Sequence, residues 1–268
     1  MASLQPAYVR GKQAAQALRL REQLGFGAVD IWQLLDHLDI PVALHEFGDS
    51  GGDGLYLWEH SEPFIVVNAS RRLSRQRFTA AHELGHHEMH RFDGDRLLIT
   101  DHDVTRRSSD AREIEANAFA AYFLAPDEAV RRGVGDDRGE KITKDHVIEL
   151  MGVFGLSYRA TTWRLLNAEV INQAQQAALA TNPAVEAGLR RAGIDEDNIF
   201  KPPPRLPRTH VNHALRLYED HVVSPNRLGE LLDMTPSDAL TFAEQRDVRP
   251  TPELPVDEAA VDELLRGL

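Results

Sequence analysis

The segment Arg77-Phe78-Thr79-Ala80-Ala81-His82-Glu83-Leu84-Gly85-His86 carries the strongest structural signal in the chain. It predicts an α-helix over Ser74–His90, because apolar residues recur along one side of it at three- and four-residue spacing. His82 and His86 are one turn apart, so on this helix they share a face and lie about 6 Å apart along the axis. Two imidazoles at that separation can bind one tetrahedral zinc ion.

Glu83 lies between the two histidines in sequence and is rotated about 100° from His82 around the helix. At that angle it borders the open side of the site, where a carboxylate can take a proton from water at the metal. His-Glu-x-x-His on a helix is the pattern of zinc metallopeptidases. Gly85 costs about 1 kcal/mol of helix stability relative to alanine, which predicts a close packing contact at that position.

The third ligand is expected from a second helix, Asp110–Ala125. His90 is eliminated as a partner of His82, because eight residues of helix span about 12 Å. Glu113 is the preferred ligand and Glu115 the alternative; they point about 200° apart, so only one of them can face the ion. Asn117, one turn after Glu113, is expected to hydrogen-bond His86 or Glu113 and to fix its orientation.

Three segments before the histidine helix read as strands: Ile40–Phe47, Gly54–Trp58 and Pro63–Asn68. The last two are joined by a polar turn and predict an antiparallel pair. The residues Phe92–Ser109 have no periodic pattern and are expected to form an irregular loop. Together these patterns predict an α+β fold that is mostly helical and contains a small three-stranded sheet.

The remainder of the chain is predicted to be helical, with one linker. Thr143–Asn167 has the outline of a helix-turn-helix, two helices separated near Gly155. Four prolines fall within residues 202–207, which is typical of a linker. The predicted boundaries are 1–135 for the metal-binding domain, 140–170 for the helix-turn-helix-like segment, 171–207 for the linker and 208–268 for a C-terminal helical domain.

Composition limits the classes of function. The chain has no cysteine, so any metal must be held by nitrogen and oxygen ligands. Its net charge of −12 opposes bulk attraction to nucleic acid. No apolar run is long enough to cross a membrane, and the first residues have no signal-peptide pattern, so a cytoplasmic protein is expected.

Several blocks of the sequence, in order, closely resemble the ImmA/IrrE family of metallo-endopeptidases. They are Arg77–His86, the segment Glu113-x-Glu-Ala-Asn-x-Phe-Ala-Ala, and Leu124-Ala125-Pro126, and the resemblance covers roughly residues 14–166. It implies a zincin-like domain with His82, His86 and Glu113 as ligands of zinc, or of another divalent cation such as manganese. It also implies that Glu83 is the general base and that the substrate is a helix-turn-helix transcriptional repressor of stress-response or mobile-element genes.

On this resemblance, the substrate is expected to lie extended along an edge strand formed by Ile65, Val66, Val67 and Asn68. Tyr122 and the histidine of the Phe92–Ser109 loop, His102, are candidates for stabilising the oxyanion. Two alternative functions remain at this point. One is a DNA-binding regulator that uses Thr143–Asn167 and has a structural or vestigial zinc site, although that segment has few basic residues. The other is a protein-binding module that recognises its partner through the C-terminal helices.

Overall fold

The computed structural model describes residues 5–48, 50–59, 62–91, 96–101, 110–135, 141–181, 184–195, 206 and 208–250. The chain divides into two compact units, Met1–Arg205 and Leu206–Leu268. The first contains four strands and nine helices among the described residues, and the second contains three helices. The strands are β1 (Val42–His45), β2 (Gly54–Glu59), β3 (Glu62–Asn68) and β4 (Arg96–Asp101).

The helices of the first unit are α1 (Gln5–Arg21), α2 (Ile31–His37), α3 (Leu73–His90), α4 (Ala111–Leu124), α5 (Asp127–Gly133), α6 (Lys144–Phe154), α7 (Tyr158–Asn167), α8 (Gln173–Ala180) and α9 (Val185–Ala192). Those of the second unit are α10 (Arg208–Glu219), α11 (Pro225–Leu231) and α12 (Pro236–Glu244). The mostly helical α+β fold is therefore as predicted. No helix in the described ranges has both the length and the apolar character needed to cross a bilayer.

The sheet has four strands in the order β1-β3-β2-β4, where three strands were expected. The predicted antiparallel pair of β2 and β3 is confirmed, with Gly54 opposite Val67. The fourth strand, β4, comes from the segment 92–109, which was expected to be irregular; it pairs antiparallel with β2. Its sequence, RLLITD, is short and lies between polar stretches, so its pairing with β2 determines its structure more than its own pattern does. The rest of that predicted loop lies outside the described residues.

Strand β3 is an inner strand, so the expectation that Ile65, Val66, Val67 and Asn68 form a substrate-binding edge is wrong. β1 runs parallel to β3 on the side away from β2, with Val42 opposite Ile65. Both sides of β3 are thus occupied by neighbouring strands. Asn68 is also fully buried, and its side-chain amide is used to hold the preceding loop: it donates to the carbonyl oxygens of Gly48 and Gly52.

Three buried arginines join the helices of the first unit by donating to backbone carbonyl oxygens. Arg77 of α3 donates to Phe154 and Val29, and Arg19 of α1 donates to Phe123 and to the loop at 25–27. Arg164 of α7 donates to Ala125. These side chains are 1%, 6% and 2% exposed, respectively. Each guanidinium therefore replaces the water that the helix-terminal carbonyls would otherwise bind.

Helices α6 and α7 do form a helix–turn–helix outline, with Gly155 in the left-handed region at φ +62°. However, α7 packs into the first unit, where Leu165 is fully buried and Arg164 is bonded to Ala125 and Asp127. One of the few basic residues of the segment is therefore not available to a phosphate backbone.

The predicted linker 171–207 contains the helices α8 and α9, and the structure differs from the sequence prediction at this point. Leu179 and Leu189 are buried in the core of the first unit. The sequence pattern does not reveal these two buried leucines, because only one face of each short helix is buried and the rest of the segment is polar. The proline-rich residues 201–205 lie outside the described part of the chain.

The second unit has its own apolar core, which includes Leu215, Leu228, Leu232 and Ala239. The turn between α11 and α12 is tight: a Cβ on Gly229 would lie 2.9 Å from the carbonyl oxygen of Met234. Asp233, in the same turn, has a φ of +51°. α12 contains two acidic residues and no lysine or arginine, so its composition disfavours contact with nucleic acid.

The ion pairs of Asp127 give the first testable prediction. Asp127 accepts from Lys12 at 2.8 Å and from Arg164 at 2.5 Å, and Arg164 is 2% exposed. Burial raises the pKa of the Asp127 carboxyl, but these two hydrogen bonds outweigh burial and hold the pKa below its ordinary value. We expect Asp127→Asn to lower the free energy of unfolding at pH 7 by about 2 kcal/mol, because the Arg164 guanidinium loses its counter-ion.

This difference has a defined pH dependence. A carboxyl whose pKa is lower in the folded state stabilises the protein above its unfolded-state pKa of about 3.9, and this stabilisation is lost as the pH falls through the folded-state pKa. Urea unfolding of the two proteins between pH 7 and pH 3 should show the difference shrinking at the acid end. Glu128→Gln, which removes a pair exposed on both sides, is the matched control. A difference that is constant with pH would contradict the assignment.

Candidate metal centre

The site is built where α3 crosses α4. Gly85 of α3 lies at the crossing, and a Cβ there would be 3.1 Å from the ring of Phe119 and 3.2 Å from the Cα of Ala116. The close contact expected at Gly85 is therefore present. Because Gly85 lies between His82 and His86, and Ala116 lies one turn after Glu113, this crossing brings the three chemical groups together.

The nitrogen and oxygen atoms of His82, His86 and Glu113 converge on one point. The two Nε2 atoms are 3.0 Å apart, and the Glu113 oxygens lie 3.5 Å from the Nε2 of His82 and 3.5 Å from that of His86. Ligand atoms bound tetrahedrally at zinc–ligand distances near 2.1 Å are about 3.4 Å apart. The donor set and its spacing therefore fit one zinc ion.

The burial of the three groups differs. Both imidazoles are completely buried, whereas the Glu113 side chain keeps 21% of its exposure. Burial raises the pKa of the Glu113 carboxyl, but the polar contacts with the imidazoles of His82 and His86 outweigh burial and hold the pKa far below its ordinary value. Glu113 is therefore an anion at neutral pH and offers the negative charge that a divalent cation needs.

Glu83 follows His82 on α3 and is fully buried, with its carboxylate directed at strand β2. It comes so close to the backbone that a Cβ on Gly54 would lie 2.4 Å from its Oε1 and 2.4 Å from the Cγ2 of Thr79. The absence of a side chain at Gly54 makes room for the carboxylate. The sequence pattern does not indicate this contribution, because Gly54 lies at the end of a glycine-rich turn.

Glu115, the alternative ligand, faces away from His82 and His86. Its Oε2 is 2.8 Å from the Nε2 of His90, and its Oε1 pairs with Arg10 of α1. The 200° separation of the two carboxylates on α4 thus directs Glu113 to the ligand cluster and Glu115 elsewhere. Asn117 is half-buried; its Oδ1 accepts no hydrogen bond within the described part of the chain. The expected orientation of His86 or Glu113 by this oxygen is therefore not observed.

His87 and Tyr56 join α3 to the sheet on the other side of the helix. The Tyr56 hydroxyl is 3.0 Å from the Nδ1 of His87, and Tyr56 is fully buried. Burial, together with the charge of Arg91, lowers the pKa of His87 to about 4. His87 is therefore neutral at physiological pH, and its contact with Tyr56 holds α3 against β2.

Tyr122 is not near the cluster, so the suggestion that it stabilises the oxyanion is wrong. It lies nine residues after Glu113 on α4, which corresponds to about 13 Å of rise and the opposite side of the helix. Its hydroxyl is bonded to that of Tyr8 at 2.9 Å, and the guanidinium of Arg164 lies over its ring. Tyr122 thus fastens α1 to α4.

Replacement of Glu113 gives a direct test of the ligand set. We expect Glu113→Gln to weaken zinc binding by about 100-fold or more, since loss of a group that only supports a ligand already costs 10- to 100-fold. Zinc affinity can be measured by competition with a chelating dye. In thermal unfolding, zinc should stabilise the parent chain and have little effect on the variant. Equal affinity in the two proteins would remove Glu113 from the site.

Comparison with known proteins agrees with this geometry. The sequence model of the Peptidase M78 family, described as the IrrE N-terminal-like domain, matches residues 35–166. The chain is also 30% identical over 105 residues to "Uncharacterized immunity region protein 2" of Bacillus phage phi105, which corresponds to 37% of this chain and 59% of the relative. The chain thus spans less than two thirds of that relative. The matched residues include the whole ligand cluster and the α3–α4 crossing, so residues 35–166 belong to the Peptidase M78 family of IrrE N-terminal-like domains.

Proposed function

We propose that this protein is a zinc-dependent endopeptidase that cleaves a helix-turn-helix transcriptional repressor. The observation that carries the proposal is the convergence of His82, His86 and Glu113, whose ligand atoms all lie within 4.8 Å of one another. Glu83, the general base of the proposal, lies on the same helix. The peptidase family match over the same residues supports the reaction class.

The proposed chemistry assigns separate roles to the side chains. Zinc in such a site supplies Lewis acidity, which polarises a peptide carbonyl group and makes water more acidic. Glu83 accepts the proton of the attacking water and passes it to the leaving amine. Glu83 is a strong candidate for proton transfer, because its carboxylate is fully buried and held by α3 and β2. A purely structural metal site has no need for such a base.

The nature of the substrate is inferred from two features. β4 is an outer strand of the described sheet, and its residue Asp101 is paired with Gly54, against which Glu83 lies. An extended peptide can add to such an edge through main-chain hydrogen bonds. The phage relative is named after an immunity region, which favours a repressor as the substrate. A repressor substrate also locates the reaction in the cytoplasm.

The test is a cleavage assay on the full chain. The zinc-loaded protein is incubated with purified helix-turn-helix repressors from the same genome, beginning with any whose gene lies beside its own, and the products are identified by mass spectrometry. We expect a small number of internal cuts that stop when a chelator is added and resume when zinc is restored. A repressor that stays intact at equimolar enzyme, with the metal bound, would contradict the proposal.

DNA binding is not favoured as an alternative. Arg164 is buried within the first unit, and α12 has only acidic charged residues. Affinity for duplex DNA that depends strongly on salt would be required for that function. The helices α6, α7 and α12 therefore offer few basic side chains for such binding.

A further inference from the structure

A row of hydrogen-bonded side chains extends from the ligand cluster to helix α1. The Nδ1 of His86 is 2.8 Å from the Nδ1 of His90, and the Nε2 of His90 is 2.8 Å from the Oε2 of Glu115. The Oε1 of Glu115 accepts from the Nε of Arg10 at 2.7 Å. His86, His90 and Glu115 are 0%, 4% and 7% exposed, so these contacts are shielded from water.

The chemistry of these groups fixes which atom carries each proton. Arg10 is a permanent cation, and Glu115, which pairs with it, is a carboxylate that can only accept hydrogen bonds. The Nε2 of His90 must therefore carry a proton, and this N–H donates a hydrogen bond to Glu115. Neutral His90 then has a bare Nδ1, which accepts from the Nδ1–H of His86.

The consequence appears at the other nitrogen of His86. Since the proton of the neutral ring is on Nδ1, its Nε2 carries no proton and offers a lone pair to a metal ion. That Nε2 is the atom that lies 3.0 Å from the Nε2 of His82 and 3.5 Å from Glu113. In the opposite tautomer, Nε2 would carry a proton and could not bind a metal ion.

We propose that Arg10, Glu115 and His90 form a positioning relay that selects the metal-binding tautomer of His86 and fixes the orientation of its ring. The inference rests on the proposed metal site but not on the identity of the substrate. Among the described residues, the hydrogen bonds of these three side chains reach the ligand cluster through His86. The relay also explains why Glu115 is buried although it is not a ligand.

The relay gives the N-terminal helix a role in the metal site. α1 precedes the residues matched by the family model, which begin at position 35. It packs against α4 at Gly11, where a Cβ would lie only 2.1 Å from the carbonyl oxygen of Glu115. This close approach brings the neighbouring Arg10 to the Glu115 side chain. The sequence signal available in advance was the one-turn spacing of His86 and His90.

The first test reads the tautomer directly. In metal-free full-length protein labelled with ¹⁵N-histidine, long-range ¹H–¹⁵N correlation spectra identify the protonated ring nitrogen of each histidine. We expect His86 to be protonated at Nδ1 only. In Glu115→Gln, whose amide can either donate to His90 or accept from it, we expect a mixture of the two tautomers. An unchanged Nδ1–H tautomer in this variant would overturn the relay.

The second test reads zinc affinity by competition with a chelating dye. We expect Glu115→Gln and His90→Phe each to weaken binding by about 10- to 100-fold. Since Glu115 and His90 act through one relay, the double variant should bind zinc only slightly more weakly than the weaker-binding single variant. Glu149→Gln, an exposed carboxylate on α6, is the matched control and should bind like the parent.

Arg10→Gln tests the relay with little risk of unfolding the protein, because the Arg10 side chain is 57% exposed. We expect it to weaken zinc binding by about 3-fold with no change in thermal stability of the metal-free chain. Additive losses in the double variant, or affinities within about 2-fold of the parent in Glu115→Gln and His90→Phe, would overturn the proposal. Failure of repressor cleavage by a parent chain that binds zinc would instead count against the proposed function alone.

Discussion

Glu83→Gln is expected to keep the metal and to lose between about 100- and 10,000-fold of peptide hydrolysis, the usual contribution of a general base. Glutamine has almost the same volume as glutamate, so it can fill the buried space against Gly54 without disturbing α3. It cannot accept the proton of water, however, and the chemical step loses its base. The cluster of His82, His86 and Glu113 is unchanged, so zinc affinity should stay within about 3-fold of the parent value.

The measurement combines single-turnover cleavage of the repressor with zinc titration of the same preparations. Glu149→Gln, on the exposed side of α6, makes the same chemical change far from the ligand cluster and should cleave like the parent protein. Retained cleavage by Glu83→Gln would show that another group is the base. Loss of zinc by the same variant would instead indicate that Glu83 holds the metal.

The second large effect is expected for Gly54→Ala, although only one methyl group is added. That methyl group would lie 2.4 Å from both the Oε1 of Glu83 and the Cγ2 of Thr79, well inside contact distance. Either Glu83 must turn away, or α3 must move off β2. We expect a loss of about 1–3 kcal/mol in the free energy of unfolding from overpacking. We also expect about a 100-fold loss of cleavage, because a displacement near 1 Å misplaces the base.

Gly27→Ala is the matched control, because a Cβ at Gly27 meets no atom within 4 Å. It should change neither the stability, as measured by urea unfolding, nor the cleavage rate. Zinc affinity of Gly54→Ala should fall much less than its activity, because the ligands lie at the α3–α4 crossing. Cleavage by Gly54→Ala at the parent rate would show that Glu83 can act as the general base from another position.

The sequence predicts the site residues of α3 more completely than those of α4. On α3, the four-residue spacing of His82 and His86 sufficed to put both imidazoles on one face, because helix geometry is fixed by the backbone. On α4, the sequence could show that Glu113 and Glu115 point in different directions but could not rank them from spacing alone. The decision came from the rotation of α4 about its own axis, which the contacts of Gly85 with Phe119 and Ala116 determine.

The sheet shows the limit of local patterns more clearly. The hairpin of β2 and β3 was predictable, because its partners are adjacent in the chain and joined by a short turn. The parallel pairing of β1 with β3 and the recruitment of β4 were not, since both depend on partners distant in sequence. That is why the local pattern predicts an edge at β3 and does not reveal the edge formed by β4.

The amino-acid sequence alone was enough to specify the chemistry: two histidines and a glutamate on one helix, candidate carboxylates on another, and no cysteine to compete for the metal. The packing of the elements was needed to establish which carboxylate faces the histidines, that Gly54 makes room for Glu83, and that His90, Glu115 and Arg10 are hydrogen-bonded in a row to His86. Periodicity along a helix specifies only directions around one axis. Distances between side chains on different elements depend on how closely those elements pack.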